Sequence, residues 1–279
     1  MREITSEQIE AAVKKCCIEA NIFLPDDIKN ALDEAYEREE GIAKEILSQL
    51  KENYSIAEKE MVPVCQDTGM TVVFAEIGQD VHITGKNFEQ AVSDGVKSGY
   101  DEGYLRKSVV KDPILRGNTG DNTPPVIHTK IVPGENIRLT IAPKGFGSEN
   151  MSAVKMLKPS DGRQGVVDFV LNTVKNAGSN PCPPVVVGIG IGGTMEKAAL
   201  LSKEALMRPV NESNPDEFYK ELEDELLDKI NGIGTGPSGL GGKTTALGVN
   251  ILTYPTHIAG LPVALNMSCH VTRHQTVVL

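Results

Sequence analysis

Cysteine is the residue type in this 279-residue chain with the widest chemical reach, and its five copies fall into two groups. Cys16 and Cys17 sit on the apolar side of a helical pattern, where a thiol acts as a small hydrophobe. Cys65, Cys182 and Cys269 each interrupt regular patterning, in Val64-Cys65-Gln66-Asp67-Thr68-Gly69, Asn180-Pro181-Cys182-Pro183-Pro184 and Met267-Ser268-Cys269-His270. Prolines on both sides of Cys182 fix the backbone and remove competing N–H donors, which suits presentation of a sulfur. An odd cysteine count over this length is a poor disulfide framework. Three buried structural thiols, a zinc site and an iron–sulfur cluster are the readings left. Structural zinc sites bring ligands in close pairs such as C-x2-C, and the chain has none. Three thiolates from three distant loops suit a [4Fe–4S] cluster, which normally takes four cysteines and would here keep one iron open. An open iron is a Lewis acid toward a hydroxyl and a carboxylate, which points to hydration or dehydration and away from electron transfer.

Two glycine motifs suggest nucleotides. Gly188, Gly190 and Gly193 form G-x-G-x-x-G after a valine run and before a helical pattern. The acidic residue expected about 20 positions on in a dinucleotide fold is missing from Arg208-Pro209-Val210-Asn211. A turn that lets a strand, a helix and a cofactor approach closely is therefore favoured over a nucleotide-binding oxidoreductase. In Gly236-Pro-Ser-Gly-Leu-Gly-Gly-Lys243-Thr244 the first glycine of a Walker A frame falls on Pro237, which excludes that motif. The glycines and Lys243 could still hold an anion through backbone N–H groups.

These residues need a scaffold, and the patterning supplies one. Residues 1–60 read as an N-terminal helical region packing on the rest. Thr5 and Gln8 form a capping box, followed by Ile9, Ala12, Val13, Cys16, Cys17 and Ala20 on one helical face. A second helix starts at Pro25 with Asp26 and Asp27, and a third spans 41–59. Residues 61–279 read as one mixed α/β unit. Strands are expected at 71–77, 126–132, 137–142, 185–189, 246–252 and 261–265, and helices at 87–100, 160–175, 195–207 and 215–230. The fold class is α/β (mixed α+β), with helices flanking a mixed sheet and Gly/Pro-rich loops holding a cluster. The net charge of -10 argues against nucleic acid and anionic membranes. The absence of a signal peptide and of a long apolar run predicts a cytoplasmic protein.

The segments PVCQDTG, LRKS, NTGDNTPPVIH, KGFGSEN, NPCPPVVVGIGIGGT, GLGGKTTALGV and LPVALNMSCHVTRH occur in this order. With them the chain resembles the α subunit, equivalent to the N-terminal domain, of class I iron–sulfur fumarate hydratases and the related L(+)-tartrate dehydratases. The resemblance implies a hydro-lyase that converts fumarate and (S)-malate, with L(+)-tartrate dehydration as the alternative. It implies Cys65, Cys182 and Cys269 as ligands of a [4Fe–4S] cluster with one open iron. It further implies Gln66, Asp67 and His257 as catalytic residues, and Arg106, Gly145 and Gly147 as substrate-binding residues. Phe146 stands where the family pattern often has glycine. His257 and His270 are weaker carry-overs, and Arg116 and Arg273 are anion partners by charge alone. The chain ends where an α portion would end. A separate β subunit is therefore expected to supply the proton-transferring Thr and further cations, in an α2β2 assembly acting on a dicarboxylate. A non-catalytic structural subunit is the remaining rival.

Overall fold

The computed structural model describes residues 1–279. The first half of the chain forms β1 (Arg2–Thr5), α1 (Ser6–Ile22), α2 (Asp26–Arg38), α3 (Gly41–Glu60), β2 (Met70–Gly78), β3 (Val81–Thr84), α4 (Phe88–Glu102), β4 (Val126–Val132) and β5 (Ile137–Lys144). The second half forms α5 (Phe146–Glu149), β6 (Ala153–Leu157), α6 (Gly162–Ala177), β7 (Val185–Gly192), α7 (Met195–Ala205), α8 (Glu217–Asn231), β8 (Ala246–Tyr254), β9 (Leu261–Ser268) and β10 (Gln275–Val278). The architecture is mixed α/β, as the patterning predicts. The capping box forms: the Gln8 N–H donates to Thr5 Oγ1 while the Thr5 N–H donates to Gln8 Oε1. α2 starts after Pro25 with both acids in its first turn and Arg38 in its last, so each end complements the helix dipole. No helix is long and apolar enough to cross a membrane.

The chain divides into two compact units. The first comprises Met1–Leu24, Tyr54–Phe146 and Arg273–Leu279, and the second Pro25–Asn53 and Gly147–Thr272. The helices of the first sixty residues are thus divided, α1 in the first unit and α2 in the second.

In the first unit a four-stranded sheet runs in the order β10-β5-β2-β4, beside a small parallel pair, β1 and β3. Ile9, Val13, Cys16 and Cys17 of α1 pack with Val92, Val96 and Tyr100 of α4 and with Val73, Leu139 and Ile141 of the sheet. Both thiols of α1 are core atoms, and burial pushes Cys16 up to about 11 and Cys17 up to about 12. Register decides which loops meet. β2 pairs antiparallel with β5, Met70 opposite Lys144, and parallel with β4, Val72 opposite Val126. β10 pairs antiparallel with β5, Gln275 opposite Ile141. One end of this sheet therefore collects the segments before β2, before β4, after β5 and before β10.

In the second unit the order is β6-β9-β7-β8. β7 is buried at every position, as expected of a central strand covered on both faces. It runs parallel to β8 and antiparallel to β9, with Val186 opposite Ser268 and Ile191 opposite Val263. β6 pairs antiparallel with β9, Ala153 opposite Leu265. One end of this sheet collects the segments before β7, before β8, after β9 and before β6. The opposite end carries the β8–β9 connection.

Candidate active site

In the first unit, loop 65–69 enters β2 and is fixed from several sides. Val64 N–H donates to Asn21 O at 2.9 Å. The Asp67 N–H points back to Cys65 Sγ at 3.4 Å, and Cys65 Sγ lies 3.5 Å from Gln66 Oε1. One oxygen of the Asp67 carboxylate accepts the Gly69 N–H at 3.0 Å, and the other accepts the Phe146 N–H at 2.9 Å. Asp67 therefore ties the loop before β2 to the loop after β5, and a Cβ on Gly145 would stand 3.2 Å from its Oδ2. Tyr100 donates its hydroxyl to Thr68 O at 2.6 Å, with Gly69 O at 3.1 Å, and burial pushes its phenol well above the usual range. Asn122, buried just before β4, donates to Gly69 O at 3.2 Å. Gly69 has φ +77°, and a Cβ there would strike the backbone of Lys144, so only glycine closes this corner. The Thr68 hydroxyl donates to Arg106 O at 2.9 Å, anchoring that backbone to the loop while the Arg106 side chain stays exposed. Arg273, placed before β10, is buried and donates from Nη2 to Asp67 O at 2.5 Å.

In the second unit, Cys182 precedes β7 and Cys269 follows β9, so the antiparallel pairing puts both at one sheet end. His270 joins the two loops: its N–H and its Nδ1 lie 3.5 and 3.1 Å from Cys182 O. Cys182 holds φ 56°, a left-handed conformation uncommon for a residue with a Cβ. The same end receives residues 147–152, leading into β6. Glu149 forms an ion pair with Lys203 of α7 at 2.6 Å and accepts from Asn266 of β9 at 3.0 Å. Ser152 Oγ accepts the Met267 N–H at 3.2 Å. Gly147 is exposed on this loop.

The two glycine motifs have structural answers. Gly188 and Gly190 lie inside β7, and a Cβ on either would run into the α7 backbone at Ser202 or Ala198. The motif serves close strand–helix packing. The loop before β8 does bind an anion, but an internal one: the buried Glu39 carboxylate accepts the N–H groups of Lys243 and Thr244 at 2.7 and 2.5 Å.

His257 is placed differently from the other expected residues. It is exposed in the β8–β9 connection, with Nδ1 accepting the Ala259 N–H at 3.2 Å. That connection lies at the end of the sheet opposite Cys182 and Cys269. With a rise of about 3.3 Å per residue along β7, the separation is on the order of 20 Å. Within this unit His257 and the two cysteines Cys182 and Cys269 thus stand at opposite ends of the sheet. Arg116 lies on an exposed turn with φ 65°, its guanidinium near Pro113 O. Tyr100, Asn122 and Glu39 are organising residues that sequence reading missed. Of these, Asn122 alone lay inside a conspicuous motif.

None of the five cysteines forms a disulfide. Cys182 is exposed and Cys65 and Cys269 are half-buried, whereas Cys16 and Cys17 are core residues. Cys65 in the first unit and Cys182 and Cys269 in the second are each accessible thiols on irregular backbone, soft donors of the kind that iron and sulfide take. No three His, Cys, Asp or Glu side chains converge closely enough to chelate a single metal ion. Thiolates around a multi-iron cluster need not, because each binds a different iron.

Residues 10–278 match the family model described as fumarate hydratase (fumerase). The chain is 46% identical over 262 residues to a protein of Methanocaldococcus jannaschii named "Putative L(+)-tartrate dehydratase subunit alpha", covering 91% of this chain and 92% of that one. It is 31% identical over 260 residues to the L(+)-tartrate dehydratase subunit alpha of Escherichia coli K12, covering 92% and 86%.

Proposed function

The chain belongs to the fumarate hydratase (fumerase) family and is a hydro-lyase, and from that premise we propose that it is an α subunit acting on fumarate and (S)-malate. In this reading Cys65, Cys182 and Cys269 hold a [4Fe–4S] cluster, and a separate β subunit completes the active site. The observation that carries it is the sorting of the thiols. The three outside the core each sit in a loop that flanks a strand and bears a family segment, and the two inside it are packed as hydrophobes.

When bound, the cluster supplies an iron with no protein ligand, a Lewis acid for the substrate hydroxyl and its neighbouring carboxylate. The chain's own residues do the rest of the binding. Gln66 holds an exposed amide next to the Cys65 sulfur, where it can hydrogen-bond substrate oxygen. Arg106 presents a planar guanidinium suited to bidentate pairing with a carboxylate, from a backbone that Thr68 keeps in place. We assign the backbone N–H groups of the Gly145–Gly147 loop to contact with the substrate. Asp67 orients the Cys65 turn, since its carboxylate already accepts two backbone N–H groups. We assign proton transfer at carbon to the Thr of the β subunit.

Anaerobic purification with iron and sulfide analysis tests the cofactor: about four of each per chain is expected. Zinc alone, or no metal, counts against it. L(+)-tartrate dehydration is the second reading, favoured by the names of the relatives. Parallel assays of the αβ enzyme with L-malate and L(+)-tartrate decide between them. Turnover of tartrate without malate overturns the fumarate assignment.

A further inference from the structure

Arg273 has a feature that the family segments do not explain. It is 5% exposed, and a guanidinium stays charged even when buried. Its Nη2 contact is a peptide carbonyl, Asp67 O, and not a carboxylate. Its Nε is buried with no hydrogen-bond partner. An uncompensated buried cation is among the costliest arrangements in a protein interior. A carbonyl clamp alone does not require it, because the same loop is already tied by the neutral donors of Tyr100, Asn122 and Thr68.

The position of the charge suggests what compensates it. Asp67 is two residues after Cys65, and its N–H faces the Cys65 sulfur. Any group bound through thiolates at this turn places negative charge within two residues of the carbonyl that Arg273 holds. We propose that Arg273 is a positioning and charge-balancing residue. It holds the 65–67 turn from behind and offsets the negative charge of the thiolate-bound cluster, so that iron is retained and reduction of the cluster is eased. This rests on the cluster reading above. It assigns Arg273 no contact with substrate, since its guanidinium is enclosed.

The test uses the anaerobically purified enzyme with wild-type, Arg273→Gln, Arg273→Lys and Tyr100→Phe chains. It reads iron and sulfide content, the rate of iron release to a chelator, and the midpoint potential from the spectrum of the reduced cluster. Removing a cation should make iron release roughly ten-fold faster in Arg273→Gln and move the midpoint to more negative potential. Arg273→Lys keeps the charge without the fork and should recover most of both effects. Tyr100→Phe loosens the same turn without changing charge and should leave the potential in place. If Arg273→Gln does not accumulate, the remaining two variants decide. Arg273→Lys must then hold its potential at least as well as Tyr100→Phe, and the reverse order overturns the proposal. A wild-type chain without iron and sulfide removes the cluster reading and this inference with it. A loaded wild-type chain that Arg273→Gln matches in potential and iron release removes this inference alone.

Discussion

At the scale of single residues, environment separates the five thiols more sharply than sequence does. Cys17 is fully enclosed between α1 and α4, and Cys16 nearly so, with both thiols pushed up to about 12 and about 11 by burial. At pH 8 both are protonated and shielded, and the thiolate is the reactive form. A disulfide reagent added to the folded, cluster-free chain at pH 8 should therefore modify Cys182 first. Cys65 and Cys269 should follow, and Cys16 and Cys17 should react only after unfolding. Peptide mapping by mass spectrometry reads the order, and early labelling of Cys17 would contradict the packing. Asp67 illustrates a different lesson at the same scale. Its type and its place after Cys65 suggest chemistry, yet its carboxylate spends two acceptor sites on the backbone of Gly69 and Phe146. Asp67→Asn keeps one acceptor oxygen but loses the other, and should loosen the turn by about 1–3 kcal/mol through the lost charge-assisted backbone hydrogen bond. Thermal unfolding of the cluster-free chain measures this apart from activity.

At the scale of elements, strand register gathers loops at one end of each sheet and glycine sets how closely layers approach. Gly190 is the clearest case, because a methyl there would meet Ala198 O, with Ser202 N at 2.6 Å and Leu201 Cβ at 2.8 Å. Gly190→Ala should cost about 1–3 kcal/mol as overpacking, lowering the melting temperature while leaving nucleotide binding absent in both forms. A binding isotherm for a nicotinamide dinucleotide that vanished on this substitution would revive the oxidoreductase alternative. The long strands were legible from β-branched runs, and the helices from caps and apolar spacing. β1, β3, β6 and β10 were not, since strands of four or five residues are too short for a period-two signal to stand out. The cysteine loops were legible as breaks in pattern, but the company they keep was not. Arg273 reaches Asp67 across 206 residues of chain, and that meeting follows from the β10–β5–β2 pairing, which no local pattern encodes.

At the scale of the whole molecule, charge defines what the chain lacks. The net charge is -10, and the proposed substrates are dianions, so the long-range field opposes their approach. Binding must come from local cations, and at the sheet end carrying Cys65 there are few. Arg106 is exposed, whereas Arg273 and Lys144 are buried, with Lys144 Nζ turned to Gly145 O at 3.3 Å. A guanidinium pairs with one carboxylate, so Arg106 alone leaves the second without a partner. Here Gln66 is an amide and no base, and the Asp67 carboxylate is already committed to two backbone N–H groups. A companion subunit that brings cations and a proton-transfer group resolves both deficits, consistent with the α-subunit names of the relatives. The cluster-loaded α chain alone should therefore show negligible turnover of L-malate or L(+)-tartrate, and mixing with β under anaerobic conditions should restore it. Arg106→Gln in the assembled enzyme should lower kcat/KM by roughly a hundred-fold, as loss of a charge-assisted pair worth about 3 kcal/mol predicts, with iron content unchanged. Steady-state assays with and without β, paired with iron analysis, measure both effects. Full activity from α alone would show that the charge deficit inferred from its surface is met within this chain.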